Sequence, residues 1–168
     1  YTLPMLAERL ARTPKGQSLG YDFWEMDSRP FDSNPARSPF YPLRHGTQVA
    51  SVIVSEAPGV RLLPYRYPRT DMSRMGAMVR AADENGAVIV AMPMGSNNRD
   101  DWTDFLQAVS ERPHMLFIIS AGNDGRDIDA QAVYPAMLGL ENFLVVTSST
   151  AFGRLAPGSN WGKKSADA

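Results

Sequence analysis

The 168-residue chain contains no cysteine. That excludes disulfide frameworks, zinc–thiolate centres and thiol nucleophiles. Histidine is nearly absent too: His45 and His114 are the whole supply, and they do not stand at a metal-ligand spacing. Neither sign of charge is in excess, with 17 basic against 18 acidic side chains. A nucleic-acid or polybasic membrane surface would need clustered Lys and Arg, so neither partner is expected. No apolar run approaches the roughly 18–20 residues of a membrane span. Neither glycine-rich phosphate motif, G-x-G-x-x-G or G-x-x-x-x-G-K-[ST], occurs.

What is present suits a folded domain. Hydrophobic residues make up 43% of the chain, enough for a core, and the length fits one domain over residues 1–168. Strand-like and helix-like segments alternate. Leu3, Leu6, Ala7 and Leu10 have helical spacing, and Leu19 to Trp24 reads as a short strand. Residues 25–43, rich in Pro, Asp and Ser, read as a long loop. Arg44 to Glu56 reads as a helix ended by Pro58–Gly59, and Val60 to Tyr67 as a strand. A helix capped by Thr70 or Asp71 would bury Met75, Met78, Val79 and Ala82 and stop at Asn85–Gly86. Ala87 to Met94 is a continuous apolar run, the pattern of a strand covered on both faces. Asp100 or Asp101 would cap a further helix carrying Trp102, Phe105, Leu106 and Val109. Met115 to Ser120 and Phe143 to Thr147 read as two more strands. This order predicts an α/β fold with a mainly parallel sheet and helices on both faces. Sites in such sheets lie at the carboxyl ends of strands.

Three segments could carry chemistry. His45 opens a helix after a long loop, where its imidazole can face a cleft and act as a general base. Alone, it reads first as a helix-end residue satisfying a local hydrogen bond. Asn123 follows a buried strand within Ser120-Ala121-Gly122-Asn123-Asp124-Gly125. An amide held there could donate to a developing oxyanion, though Asn and Gly also make ordinary turns. Met94-Gly95-Ser96 ends the preceding strand, where an extended segment could pair with a substrate peptide. Asp124, Asp127 and Asp129 alternate as in a calcium loop but lack the downstream glutamate such loops require. The nine methionines sit mostly at core-like positions and read as packing.

Taken in order, these segments resemble the subtilisin-like serine peptidases. HGTQVAS at 45–51 resembles the family's H-G-T-H-V-A-G, and Gly20-Tyr21-Asp22-Phe23 resembles a segment that precedes it. ENGAVIVAMPMG at 84–95 resembles the strand ending N-M-S-L-G, and SAGNDG at 120–125 resembles A-A-G-N-x-G. Tyr134-Pro135-Ala136, FLVVTSST and Ser159-Asn160-Trp161-Gly162 follow in family order. The resemblance runs from about residue 20 to the end. It implies a three-layer subtilisin-like fold and a Ser-His-Asp endopeptidase in which His45 is the general base and Asn123 the oxyanion donor. It implies that Met94, Gly95, Ser96, Ser120, Ala121 and Gly122 wall the substrate pocket. No cofactor is required; structural calcium is compatible with the family but not assignable to residues. The implied partner is a peptide or protein substrate, and the implied setting is secreted or periplasmic.

The resemblance is not uniform. Gln48 replaces the family's second histidine, Ser51 its glycine, Ala91 an asparagine and Pro93 a serine. Asp22, Asp27 and Asp32 precede His45, but none carries the D-[ST]-G signature of the catalytic aspartate. The nucleophile motif G-T-S-x-A-x-P is also absent. The expectation is thus an incomplete catalytic domain, lacking the aspartate strand and the nucleophile helix, and inactive in isolation. The missing strand would leave edges open to self-association. The rival expectation is a non-catalytic pseudo-peptidase that keeps only peptide binding.

Overall fold

The structure is a computed structural model that describes residues 3–31, 44–68 and 71–167. It comprises two compact units, Tyr1–Asp71 and Met72–Ala168. Residues 32–43 of the expected loop, with Asp32, and the expected cap Thr70 lie outside the described residues.

In the first unit, helix α1 (Pro4–Ala7) begins with proline in its first turn, where a missing N–H costs nothing. Its Leu6 is fully buried and packs with Ala50 and Val54 of α2 (His45–Glu56) and with Leu62. The helical expectation for 44–56 holds, but the buried stripe runs through Ala50 and Val54 while Val52 is exposed. Strands β1 (Tyr21–Asp22) and β2 (Tyr65–Arg66) pair in parallel, with Tyr21 opposite Tyr65. Both are shorter than their apolar runs suggest. Pro64 lacks an N–H for the ladder, and Leu62 instead makes an isolated bridge to Leu10.

Asp22 is 1% exposed. Its Oδ1 accepts from the Trp24 and Glu25 N–H groups, both at 2.8 Å, and its Oδ2 accepts from Arg66 Nη1 at 2.8 Å. The Arg66 guanidinium lies 4.2 Å from the centroid of the Trp24 ring. A buried carboxylate needs this degree of compensation, so Asp22 is occupied in holding its own turn.

In the second unit, a 3₁₀ turn (Met72–Arg74) leads into α3 (Met75–Glu84), which buries Met75, Met78, Val79 and Ala82 as expected. Its N-cap is Arg74 rather than Thr70 or Asp71, because the 3₁₀ turn shifts the start. Strand β3 (Ile89–Met92) is followed by a second 3₁₀ turn (Arg99–Trp102) and α4 (Thr103–Ser110). That turn is capped by Asn98, whose side chain accepts from the Asp100 N–H; the acidic residues at 100 and 101 lie inside it. Strands β4 (Leu116–Ser120) and β5 (Phe143–Val146) complete a parallel sheet ordered β3-β4-β5.

Register explains which residues are buried. Val90 is opposite Phe117 and Phe117 opposite Phe143; Met92 is opposite Ile119 and Ile119 opposite Val145. With a side-chain period of two, these share one face. The Phe105 ring of α4 meets Phe117 at 5.8 Å and Phe143 at 6.2 Å on that face, and Trp102 stacks edge-on to Phe105 at 5.4 Å. The other face is partly open: Ile89 and Ala91 are exposed. The expectation that 87–94 is covered on both faces is therefore corrected. An apolar run does not report coverage when the strand is an edge, and among the described residues β3 pairs with β4 alone. The opposite edge, at β5, is occupied by the tail: Asp167 N–H donates to Val145 O at 2.8 Å, and its Oδ2 accepts from the Val145 N–H at 2.8 Å.

Arg112 and His114 converge on Asp83 from the segment between α4 and β4, at 3.0 and 2.9 Å. The hydrogen bond from His114, ahead of an opposing desolvation and of attraction by the His114 and Arg112 charges, holds the Asp83 carboxyl below its ordinary value. A carboxyl depressed on folding stabilises the fold above the ordinary carboxylate range, and that contribution is lost as pH falls through the depressed value.

Two outcomes follow from this packing. Truncating Phe105 to alanine removes the ring that joins α4 to β4 and β5 and is expected to cost about 3–5 kcal/mol by urea denaturation. Asp83→Asn is expected to narrow the gap between unfolding midpoints measured at neutral pH and near pH 3; an unchanged gap would mean that Asp83 does not contribute to the acid limb.

Candidate active site

The parallel sheet of the second unit gathers most of the expected site residues at one edge. Met92 and Ile119 are paired in register, so Met94-Gly95-Ser96 and Ser120-Ala121-Gly122 leave adjacent strands at their carboxyl ends. Asn123 comes next, in the turn after β4, with its side chain exposed. His45 belongs to the first unit, where it is the first residue of α2 and exposed. Arg44 before it adopts the left-handed conformation, φ 44°, which turns the incoming chain sharply into the helix.

The first wall segment is held from the side. Ser96 and Tyr134 exchange both backbone hydrogen bonds at 2.8 Å. Gly95 fits because a Cβ there would stand 2.8 Å from Tyr134 O. The Ser96 hydroxyl accepts from Trp102 Nε1 at 2.9 Å and donates to Asp101 at 3.1 Å. Ser96 is therefore committed to anchoring the wall on the buried Trp102. Met94 is half-buried and Gly95 exposed.

The second wall segment is held from beneath. Ala121 is fully buried; its N–H donates to Val146 O and its carbonyl accepts from Asn160 Nδ2 at 2.8 Å. Gly122 N–H donates to the Ser120 hydroxyl at 3.2 Å. Gly122 has φ +102°, and a Cβ on it would lie 2.6 Å from Asn160 Nδ2. Only glycine satisfies both the conformation and the close approach. Arg126 joins the two walls: one Nη donates to Asn97 Oδ1 and pairs with Asp124 at 3.3 Å, while its Nε is buried without a partner among the described residues.

The alternating aspartates are engaged one by one. Asp124 pairs with Arg126, and Asp127 Oδ1 accepts from the Asp129 N–H at 3.0 Å. Asp129 accepts from the Ser165 hydroxyl at 2.6 Å and the Lys164 N–H at 3.0 Å. The Ser165 hydrogen bond is the main reason its carboxyl lies below the ordinary value. Among the described residues no group of three or more His, Asp or Glu could hold a metal ion. No helix among them is long and apolar enough to cross a membrane.

Sequence reasoning did not single out Asn160 as a site residue. It is fully buried, and its side-chain partners lie 34 to 39 residues earlier in the chain. Within a polar, turn-rich tail, only its position in the Ser-Asn-Trp-Gly run distinguishes it.

Comparison with known proteins gives a consistent picture. The model of the subtilase family, Peptidase_S8, matches residues 19–168. No curated protein matches the sequence. Among solved structures, one described as a lanthipeptide protease superposes with a TM-score of 0.67 at 23% identity, over 85% of this chain and 45% of that one. The epidermin leader peptide processing serine protease from Staphylococcus aureus gives 0.56 at 17% identity, over 66% of this chain and 34% of that one. The PatG macrocyclase, solved with a peptide, gives 0.51 at 21% identity, over 63% and 31%. At these identities the likeness is one of fold. The chain spans less than half the length of each of these three.

Gly122→Ala is expected to destabilise the second unit by about 1–3 kcal/mol, through its positive φ and the contact with Asn160. Urea denaturation gives the magnitude. Amide signals that shift at 121–126 and stay fixed in α3 would localise the effect.

Proposed function

This chain belongs to the subtilase family of peptidases, and from that premise we propose that it carries the general base and the oxyanion donor of a serine endopeptidase. The observation behind the reading is the placement of Asn123. Its exposed amide follows the carboxyl end of β4, next to the segment that leaves β3. A tetrahedral intermediate bound there would put its oxyanion within reach of a neutral donor held by a fixed loop. His45 takes the proton from the attacking serine and returns it to the leaving amine. Met94, Gly95 and Ser96 form one side of the pocket for the residue before the scissile bond, and Ser120, Ala121 and Gly122 the other. Gly95 is exposed, and no hydrogen bond among the described residues uses its peptide groups, which suits it to pair with an extended substrate. The substrate class is a peptide or an exposed protein segment.

The 168 residues contain neither a G-T-S-x-A segment nor a D-[ST]-G segment. Asp22 is buried and bonded to Arg66 and its own turn, which argues against it as the triad's aspartate. The proposed serine and aspartate are therefore assigned to residues outside this stretch, and the chain alone is expected to release no product from a fluorogenic peptide. In the full protein, His45→Ala is expected to lower kcat by several orders of magnitude, up to about 10⁶-fold, and Asn123→Ala by about 10²–10³-fold; both scales are subtilisin's own. Robust turnover by the 168 residues, lost with His45→Ala, would overturn the division of the triad. A full protein that binds peptide without cleaving it would instead favour a non-catalytic peptide-binding module.

A further inference from the structure

One side chain holds nearly the whole turn that displays Asn123. Asn160 Nδ2 donates to Ala121 O at 2.8 Å. Its Oδ1 accepts from the Asp124 N–H at 2.8 Å and from the Arg126 N–H at 3.1 Å. Its backbone N–H donates to Gly122 O at 2.9 Å, and Gly125 N–H donates to Gly158 O at 2.9 Å. In the run 121–126, Asn123 alone has no hydrogen bond to the 158–160 segment among the described residues. The residues on either side of it are fixed, and it stands at the crest.

The clamp is itself anchored. Ser159 Oγ accepts from the Ser148 N–H at 2.9 Å, beyond the end of β5, and donates to Asn160 O at 3.1 Å. Asn160 is fully buried with both ends of its amide satisfied, so its orientation is fixed by its partners. Gly122 leaves no slack against it. An aspartate could keep both acceptor contacts but could not donate to Ala121 O. Glutamine would place the same amide one methylene too far into a filled space.

We propose that Asn160 is a positioning residue for the oxyanion donor: it sets the height and direction of the 121–126 turn so that Asn123 meets the transition state. This rests on the assignment of Asn123 above. The role differs from general support of the fold, because every side-chain hydrogen bond of Asn160 among the described residues lands on the turn that bears the donor. A positioning residue acts on the transition state through the group it holds. Its loss should therefore appear in kcat more than in KM, and should vanish once Asn123 is gone.

The test is a double-mutant cycle in the full protein with a fluorogenic peptide, using Asn160→Asp, Asn160→Ala and Asn123→Ala. Asn160→Asp is expected to lower kcat about tenfold or more with KM within about twofold. Adding it to Asn123→Ala should cost little further. Losses that multiply in the double variant, or a loss carried by KM, would overturn the positioning role while leaving the oxyanion assignment standing. An unchanged kcat in Asn123→Ala, or no turnover in the unsubstituted full protein, would overturn the oxyanion assignment, and the positioning role with it. A second measurement does not depend on activity. Amide exchange at Asp124 and Arg126 in the 168-residue chain should accelerate at least tenfold in Asn160→Ala, with β4 still protected. Unchanged exchange at both amides would show that Asn160 does not hold the turn.

Discussion

The second unit depends on a cluster of rings. Trp102, Phe105 and Phe117 are fully buried, and Phe143 completes the group. An edge-to-face contact to Phe117 and a tilted one to Phe143 fix α4 against β4 and β5. Because both strand pairings are parallel and in register, the position of α4 also determines where the strands end. The wall segments and the Asn123 turn leave from those ends. Trp102 then adds a polar contact to its apolar one, since its indole N–H reaches the Ser96 hydroxyl. One side chain thus belongs both to the core and to the support of the Ser96 segment.

Apart from the apolar cores, each unit holds a turn with a buried polar side chain. Water is excluded from Asn160 and Asp22, so each of their hydrogen bonds is costly to lose and few alternative arrangements compete. The two residues solve the same problem in different units. Asp22 closes a turn with a carboxylate and must recruit Arg66 as counter-charge. Asn160 closes a turn with a neutral amide and needs no counter-ion.

Local pattern was legible in the sequence. Helical spacing located α2, α3 and α4, and the buried stripe of α3 was read residue by residue. Apolar runs located the five strands of the described residues, with the alternation of strand and helix giving the parallel topology. What depends on distant partners was not legible. The 3₁₀ turn before α3 and the Asn98 cap replaced the expected caps because neighbouring geometry decided them. The open face of β3 was missed, since four apolar residues in a row look alike at an edge and at a centre. For the candidate site, order and spacing pointed to His45 and Asn123, whereas the hydrogen bonds that hold the Asn123 turn come from a tail whose composition suggests only solvent-facing turns. Asp22 is a second case: the sequence shows only that it lacks the D-[ST]-G signature, and its burial and its bonds to Arg66 and the turn supply the structural role.

The two margins of the three-stranded sheet are not equivalent. On the β5 side, Asp167 occupies the Val145 N–H and carbonyl. On the β3 side the main chain is unpaired among the described residues, and Ile89 projects from an open face. The sheet therefore has a direction of growth: another strand can be added beyond β3, but at β5 it would first have to displace the tail.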